Sequence, residues 1–213
     1  TMAYSSIIKP QDYFNTKLYT GNGSTNAQTG VGFQPDMVWI KSRTNNSDHV
    51  ITDAVRGVTK EIRPNKTDYE DTASNGLTAF GTDGFTIGDW SVINANSTTY
   101  ASWNWKANVQ GSSNTDGSIN TTYTSANTTA GFSICKWTGS GGNATIGHGL
   151  GAVPKMIITK KRSASQGWHV QHASLGATKE LYLNTNDVAA TGSTPWNDTT
   201  PTSSVFSVGT SGG

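Results

Sequence analysis

The sequence predicts an all-β protein made of two tandem β-sandwich units of jelly-roll type, the second of which lacks its last strand. Three observations lead to this prediction. Short apolar runs with a period of two recur along the chain, Gly-rich turns separate them, and one ordered set of motifs occurs twice. No window carries a helical period long enough to compete with these patterns, so we expect very little helix.

The internal repeat defines the two units. Its paired segments keep the same order in both copies. The paired segments are Phe14–Gly21 with Phe132–Gly139, Met37–Lys41 with Met156–Lys160, Lys60–Ile62 with Lys179–Leu181, and Phe85–Gly88 with Phe206–Gly209. We therefore place a first unit with an N-terminal arm at residues 1–107, a Gly/Ser/Thr/Asn-rich linker at 108–129, and a second, truncated unit at 130–213.

Individual strands follow from the apolar patterns. The continuous apolar run Met37–Ile40 predicts a central strand covered on both faces, and Met156–Ile158 repeats it in the second unit. In Tyr100–Ala107 large and polar residues alternate, which predicts one buried and one solvated face. We assign Ala101, Trp103 and Trp105 to the buried face and Ser102, Asn104 and Lys106 to the solvated face.

The second unit has no segment that corresponds to Tyr100–Ala107. A sheet that lacks a central strand exposes unpaired backbone N–H and C=O groups. We therefore expect either that the natural protein continues beyond residue 213, which we favour, or that another chain supplies the strand.

Composition excludes some functions. Of the 213 residues 33% are hydrophobic, which suits two small cores better than one large core. A net charge of +1 predicts no nucleic-acid partner, because such binding needs several Lys or Arg against successive phosphates. We interpret the single basic run, Lys160–Arg162, as a solvated strand edge.

No stretch approaches the about 18 apolar residues of a membrane helix, so no membrane insertion is predicted. The single cysteine, Cys135, is predicted to be a buried hydrophobe.

The motifs Tyr19–Thr25, Gly32–Arg43, Asp83–Gly88 and Tyr100–Ala107 resemble a repeat of bacteriophage and prophage structural proteins that are described as tail-fibre-like. The second copy, at His148–Ile158 and Ser174–Asn184, resembles the same family, in which the repeats occur in tandem. The resemblance implies a virion protein that is made in the bacterial host cytoplasm and contacts other virion proteins. It transfers no catalytic or ligand-binding residues, and no cofactor is expected. We further expect a homo-oligomer, with a trimer favoured, because linked copies raise the avidity of weak sites.

Three tryptophans suggest a glycan-binding surface. Trp90, Trp168 and Trp196 occur in polar, turn-rich segments rather than in apolar runs. An exposed aromatic ring beside amides and carboxylates is suited to gripping sugar rings, and the neighbours here are Asp89, Asn197 and Asp198. We therefore propose these six residues as a carbohydrate-binding set for a bacterial surface glycan. The alternative is that the tryptophans close the open ends of the sandwiches.

Other groupings suit catalysis or metal binding less well. His148, His169 and His172 are the available ligand set, but a spacing of three in a strand directs His169 and His172 to opposite faces. The carboxylates Asp48 and Asp53 near His49, and Asp68, Glu70 and Asp71, are explained by solvated loops. We therefore predict no metal site and no enzyme activity. The alternative functions are an architectural capsid decoration or tail adaptor protein and, less favoured, a surface-polysaccharide depolymerase that uses these carboxylates.

Overall fold

A computed structural model describes residues 7–211 of the chain. In this range the only helices are a 3-10 turn at Pro10–Asp12 and the four-residue helix α1 at Ser91–Asn94, so the prediction of an all-β protein is confirmed. The strands are β1 Phe14–Thr20, β2 Asn26–Thr29, β3 Met37–Ser42, β4 Val50–Asp53, β5 Lys60–Glu61, β6 Asp71–Thr72, β7 Leu77–Gly81, β8 Gly84–Ile87, β9 Thr99–Trp105, β10 Tyr123–Asn127, β11 Phe132–Lys136, β12 Ala144–Gly147, β13 Met156–Thr159, β14 His169–His172, β15 Lys179–Tyr182, β16 Ala190–Thr191 and β17 Val205–Val208.

The first half of the described chain, residues 7–107, contains two larger sheets and one core. A four-stranded antiparallel sheet has the order β1-β9-β3-β4, and a three-stranded sheet has the order β2-β8-β7. Apolar residues from both sheets and from α1 form one buried cluster, which includes Tyr19, Val38, Phe85, Ile93 and Tyr100. The hydroxyl of Tyr19 donates to the carbonyl of Ile93 over 2.7 Å, which satisfies the one polar atom of that ring inside the core.

Strand β9 has the predicted alternation, but the prediction of its buried face is wrong. Ser102 and Asn104 are fully buried, whereas Trp103 and Trp105 are only partly buried. On this inner face Asn104 Nδ2 donates to the carbonyl of Asn15 over 3.1 Å, whereas Asn104 Oδ1 has no hydrogen-bond partner among the described residues. The large rings instead pack against rings of the neighbouring strands, Trp103 against Trp39 and Trp105 against Phe14, with centroids 6.2 and 4.9 Å apart.

The second half, residues 108–211, pairs its strands in the same way wherever the repeat aligns them. Strands β13 and β14 pair as β3 and β4 do, and β12 pairs with β17 as β2 does with β8. Its sheets have the orders β13-β14-β15-β16, β12-β17 and β10-β11, and Ile146, Trp196, Phe206 and Val208 form its buried core. The finer assignment of two jelly-roll-like sandwiches stays a prediction.

The segment predicted as a linker, residues 108–129, is hydrogen-bonded to the second half. It contains β10, which pairs with β11, and bridges join Ser112 to Thr124 and Ile119 to Ile146. Residues 1–6 of the predicted first unit and 212–213 of the second lie outside the described range. Among residues 7–211, no helix has the length and apolar character needed to cross a membrane.

Candidate functional site

A cavity of about 1270 Å³ lies between the two halves. Its walls include β11 and β13 of the second half and Met37, Trp39 and Ile51 of the first half. Small-molecule sites usually occupy about 300–1,000 Å³, so the volume suits a larger occupant. We take this cavity as the candidate functional site.

The cavity contains two unpaired strand edges that face it. In the described range β11 is hydrogen-bonded to β10 alone, and β13 is hydrogen-bonded to β14 alone. In the first half the equivalent strands β1 and β3 both pair with the central strand β9. The second half thus has an open slot, defined here as the space between Phe132–Lys136 and Met156–Thr159, at the place that β9 fills in the first half.

Side chains beside the open slot are more exposed than their counterparts beside β9 in the first half. Tyr19 and Val38 are 8% and 1% exposed, whereas their counterparts Trp137 and Ile157 are partly exposed. On the other face of β13, Met156 is 58% exposed and Ile158 is 39% exposed. The prediction that Met156–Ile158 is covered on both faces is therefore wrong, because the strand that would pair with β13 on that side is missing from the described residues.

Cys135 lies in the wall of the slot. Its side chain is partly buried and packs against the core of the second half. Burial raises the pKa of this thiol, so Cys135 is a weak nucleophile at neutral pH. Its Sγ lies 3.3 Å from the hydroxyl of Ser133.

Trp168 joins the two halves at one end of the cavity. It is 4% exposed and packs against Ile51 and Ile62 of the first half. Its Nε1 donates to the carbonyls of Arg63 and Lys66 over 3.1 and 3.0 Å. The expectation that Trp168 is an exposed platform for sugar rings is wrong, because both its ring and its N–H are used in the contact between the halves.

Trp196 is also buried rather than exposed. It is 1% exposed and belongs to the core of the second half together with Phe206. Its Nε1 makes no hydrogen bond to any described residue. The expected exposure of this ring is therefore wrong as well; the alternative that the tryptophans close the open ends of sandwiches stays a prediction, and it agrees with the burial of Trp196.

The remaining four residues of the predicted glycan set lie nearer the surface. Trp90 is partly buried, and the guanidinium carbon of Arg63 lies 5.8 Å from its ring centroid. The exposed Asp89 accepts a hydrogen bond from Asn75 over 2.6 Å. Asn197 and Asp198 are exposed in a turn with positive φ, beside the buried Trp196. Of the three predicted rings, only Trp90 keeps partial access to solvent.

A network of opposite charges borders the cavity. The guanidinium of Arg56, only 4% exposed, contacts Asp53 over 2.6 Å and Glu70 over 3.5 Å. Glu70 also contacts Arg162 of the second half over 3.2 Å. The prediction that Lys160–Arg162 is a solvated edge is therefore wrong for Arg162, which forms an ion pair between the halves. Lys160 likewise donates to the carbonyl of Thr67 over 3.2 Å.

Several members of the other predicted chemical groupings make structural contacts. Burial opposes ionisation of Asp48, but hydrogen bonds from Lys66 and Asn65 outweigh it and lower the pKa of the carboxyl. His169 contacts Glu180 over 2.7 Å, and burial lowers the pKa of His148. Among residues 7–211, no group of three or more His, Cys, Asp and Glu side chains is placed to hold a metal ion.

Sequence reasoning missed the residues that join the halves. Glu70 and Arg162 were noted for other roles, but they are 92 residues apart and carry no shared motif, so no local signal pairs them across the halves. The slot did have a signal, because the repeat shows which strand the second half lacks. Alignment of the two copies places that absence between β11 and β13.

Comparison with known proteins gives one relationship. Neither a curated protein nor a solved structure matches the chain. A family profile described as a domain of unknown function (DUF7483) matches residues 9–213. Because this match covers well over half of the sequence, the chain belongs to the DUF7483 family.

Proposed function

We propose that this protein is a structural protein of a bacteriophage or prophage particle, of tail-fibre or tail-associated type, in which the two repeats act as one building unit. The observation that carries the proposal is the direct contact between the halves. Trp168 is buried against Ile51 and Ile62 and donates to two carbonyls of the first half. Repeats that contact each other in this way suit a load-bearing assembly, and the sequence motifs resemble those of tail-fibre-like repeats.

The proposal does not include catalysis. A depolymerase needs one carboxyl that stays protonated near neutral pH and a second that is ionised. Asp53 and Glu70 instead contact arginines, and the pKa of Asp48 is lowered. Burial raises the pKa of Glu61, but its carboxyl group is held by the guanidinium of Arg63 over 2.8 Å. Each of these carboxyl groups thus has a cationic partner within the protein.

Between the two non-catalytic roles, the architectural one has more support than glycan attachment. Two of the three tryptophans proposed for sugar binding are buried. The glycan role now depends on Trp90 with Asp89, while the architectural role is supported by the contacts between the halves and by the open strand edges. A homo-oligomer, with a trimer favoured, and a virion location stay part of the proposal.

The test is to locate the protein in particles. Antibodies raised against this chain would be used for immunogold electron microscopy of phage particles from the bacterium that carries the gene. Label at a fixed position on intact particles supports the proposal, and particles without label contradict it.

A glycan and lipopolysaccharide array, probed with the native protein and with Trp90→Ala, separates the two non-catalytic roles. Binding that Trp90→Ala abolishes favours glycan attachment, and no binding favours the architectural role.

A further inference from the structure

We propose that the outward face of strands β1 and β9 in the first half binds an uncharged hexose ring of a glycan, which stacks on Trp103. We call this surface the Trp103 face, and its residues are Thr16, Leu18, Thr20, Thr99, Ala101 and Trp103. The inference goes beyond the structural role proposed above, concerns a different surface from Trp90, and does not rest on a virion location. The sheet that carries the face has β9 in place, so the face does not arise from an unfilled strand position.

The alternation of β1 and β9 builds this face. Tyr19, Ser102 and Asn104 are buried on the inner side of the sheet, so the residues between them point outward. Antiparallel pairing sets the outward residues side by side, and the cross-strand pairs are Thr16 with Trp103, Leu18 with Ala101, and Thr20 with Thr99. One large ring thus stands beside smaller side chains on the same side of the sheet.

The ring of Trp103 is held in place before any ligand arrives. It packs edge-on against Trp39, with the ring centroids 6.2 Å apart and the ring planes at 69°. Trp39 is itself fixed, because its indole N–H donates to Nδ1 of His49 over 2.9 Å. A rigid aromatic ring loses little conformational freedom on binding, which favours recognition of a weakly held ligand.

Trp103 is accessible to a ligand. Its side chain is partly exposed, and the cavity between the halves is lined by Trp39 but not by Trp103. Within residues 7–211 its indole N–H makes no hydrogen bond, whereas those of Trp39 and Trp168 do. This N–H is also not buried, in contrast to the unpartnered N–H of Trp196. Trp103 thus offers a ring and a free hydrogen-bond donor at one surface.

Hydroxyl groups share the face with the ring. Thr16 and Thr20 are exposed on β1, and Thr99 is partly exposed on β9. A threonine hydroxyl both donates and accepts hydrogen bonds, as each hydroxyl of a sugar does. The C–H groups on one side of a pyranose ring carry partial positive charge and pack against the negative face of an indole. The Trp103 face therefore combines the two kinds of contact that a sugar ring makes.

The residues of the Trp103 face are all uncharged. The adjoining strand β3 contributes Lys41 to the same side of the sheet. Its ammonium group is occupied, because it donates to the carbonyls of Ser42 and Asn45 over 2.8 and 3.0 Å. Burial lowers the pKa of His49, so the ring that holds Trp39 is neutral at pH 7. An uncharged sugar suits this surface better than a sialic or uronic acid, whose carboxylate needs a free cation.

A sugar fits the size of this face better than a protein partner does. A standard protein interface takes about 20–30 residues from each side, and the Trp103 face has far fewer. The neighbouring rings of Phe14, Trp105 and Phe132 pack on one another, with centroid distances of 4.9 and 6.0 Å, which limits how far the aromatic surface extends. A flat apolar partner would also leave the N–H of Trp103 without an acceptor, whereas a sugar hydroxyl supplies one.

Saturation-transfer NMR on the native protein tests the proposal. The probes are oligosaccharides of glucose, galactose and mannose, and sialylated and uronic-acid oligosaccharides are the charged comparators. We expect saturation transfer to at least one of the neutral oligosaccharides, with a Kd of about 1 mM or tighter. No charged oligosaccharide should bind more tightly than the best neutral one.

Protein variants locate the binding. Trp103→Ala removes the ring, and Thr16→Arg places a bulky charged side chain directly beside it. Each should weaken binding of the best neutral oligosaccharide at least about tenfold. Thr16 is exposed, so Thr16→Arg keeps the fold even if Trp103→Ala does not. The matched controls are Tyr69→Ala, which removes an exposed ring elsewhere, and Thr78→Arg, at an exposed position of the other sheet; both should leave binding unchanged.

Three results would overturn the proposal: no saturation transfer to any neutral oligosaccharide at about 10 mM, tighter binding of a charged oligosaccharide than of every neutral one, or undiminished binding by a folded Thr16→Arg variant. These results are independent of the immunogold test, which locates the protein in particles whether or not it binds a sugar.

Discussion

Trp168 of the second half donates its indole N–H to the carbonyl of Arg63 in the first half over 3.1 Å. The same N–H lies 3.0 Å from the carbonyl of Lys66. Both acceptors follow β5, and the ring itself packs against Ile51 and Ile62. One side chain thus supplies both apolar burial and hydrogen bonds to the contact between the repeats.

Two substitutions of this indole should destabilise the protein by different amounts. Trp168→Phe keeps most of the ring but leaves two carbonyls without their donor, and it should lower the free energy of unfolding by about 1–3 kcal/mol. Trp168→Ala also removes the buried ring and should cost about 3–5 kcal/mol. Urea unfolding followed by circular dichroism measures both. Trp103→Phe, on the outer face of β9, is the control and should change little; a Trp168→Phe variant as stable as the native protein would contradict the role of the N–H.

The ion pair between Glu70 and Arg162 should couple the halves. A double-mutant cycle with Glu70→Gln and Arg162→Gln should give a coupling energy of about 0.5–1.5 kcal/mol, because Glu70 is mostly buried while Arg162 is partly exposed. The coupling should fall at high salt. Asp187→Asn, in an exposed loop, is the control and should stay within about 0.5 kcal/mol of the native protein. Additive effects of the two substitutions would show that the pair contributes nothing.

His49 should make stability depend on pH. Burial, with a smaller effect of Lys41, lowers the pKa of His49 below its ordinary value of 6.5, and the indole of Trp39 donates to its Nδ1 over 2.9 Å. As pH falls, the imidazole of His49 therefore takes up a proton at a higher pH in the unfolded chain than in the folded chain. The contribution of His49 to the free energy of unfolding is thus full above about pH 6.5 and is lost as pH drops from there to the pKa of the folded state.

The measurement is the urea midpoint of the native protein at pH 7.5, 6.5 and 5.5, beside His49→Gln. Glutamine can accept the indole hydrogen bond but does not titrate, so the variant should lose less stability over this range. His148, whose pKa burial also lowers, is present in both proteins and cancels in the comparison. Identical pH profiles would contradict the assignment to His49.

Asn94 should be the most sensitive polar residue of the first half. Its side chain is fully buried and its Nδ2 donates to the carbonyls of Ser24 and Gly88, each over 2.6 Å. Its Oδ1 accepts from the backbone N–H of Asn22. Asn94→Asp keeps the shape but removes both donors and buries a charge, so it should cost about 3 kcal/mol or more in the free energy of unfolding.

Thermal unfolding followed by tryptophan fluorescence tests this expectation for Asn94. Asn143→Asp is the matched control, because Asn143 is exposed and donates to the exposed Asn197. If both substitutions change the melting temperature equally, the network around Asn94 is not the cause.

Local patterns in the sequence predicted strands, but long-range contacts determine which side chains are buried, and local patterns do not show these contacts. The period of two in β9 was correct, but period alone does not say which face is inside, and the structure places Ser102 and Asn104 there rather than Trp103 and Trp105. Trp168 looked exposed because its neighbours in sequence are polar, whereas its partners lie about 100 residues earlier in the chain. The position of the slot was predictable because it follows from comparing the two copies.

The contact that Trp168 makes links the folding of the two halves. Its ring packs on Ile51 and Ile62 and its N–H is satisfied by two carbonyls of the first half, so unfolding of either half alone would expose that ring and leave both carbonyls without their donor. The consequence is thermodynamic: the two repeats should melt as one cooperative unit rather than one after the other.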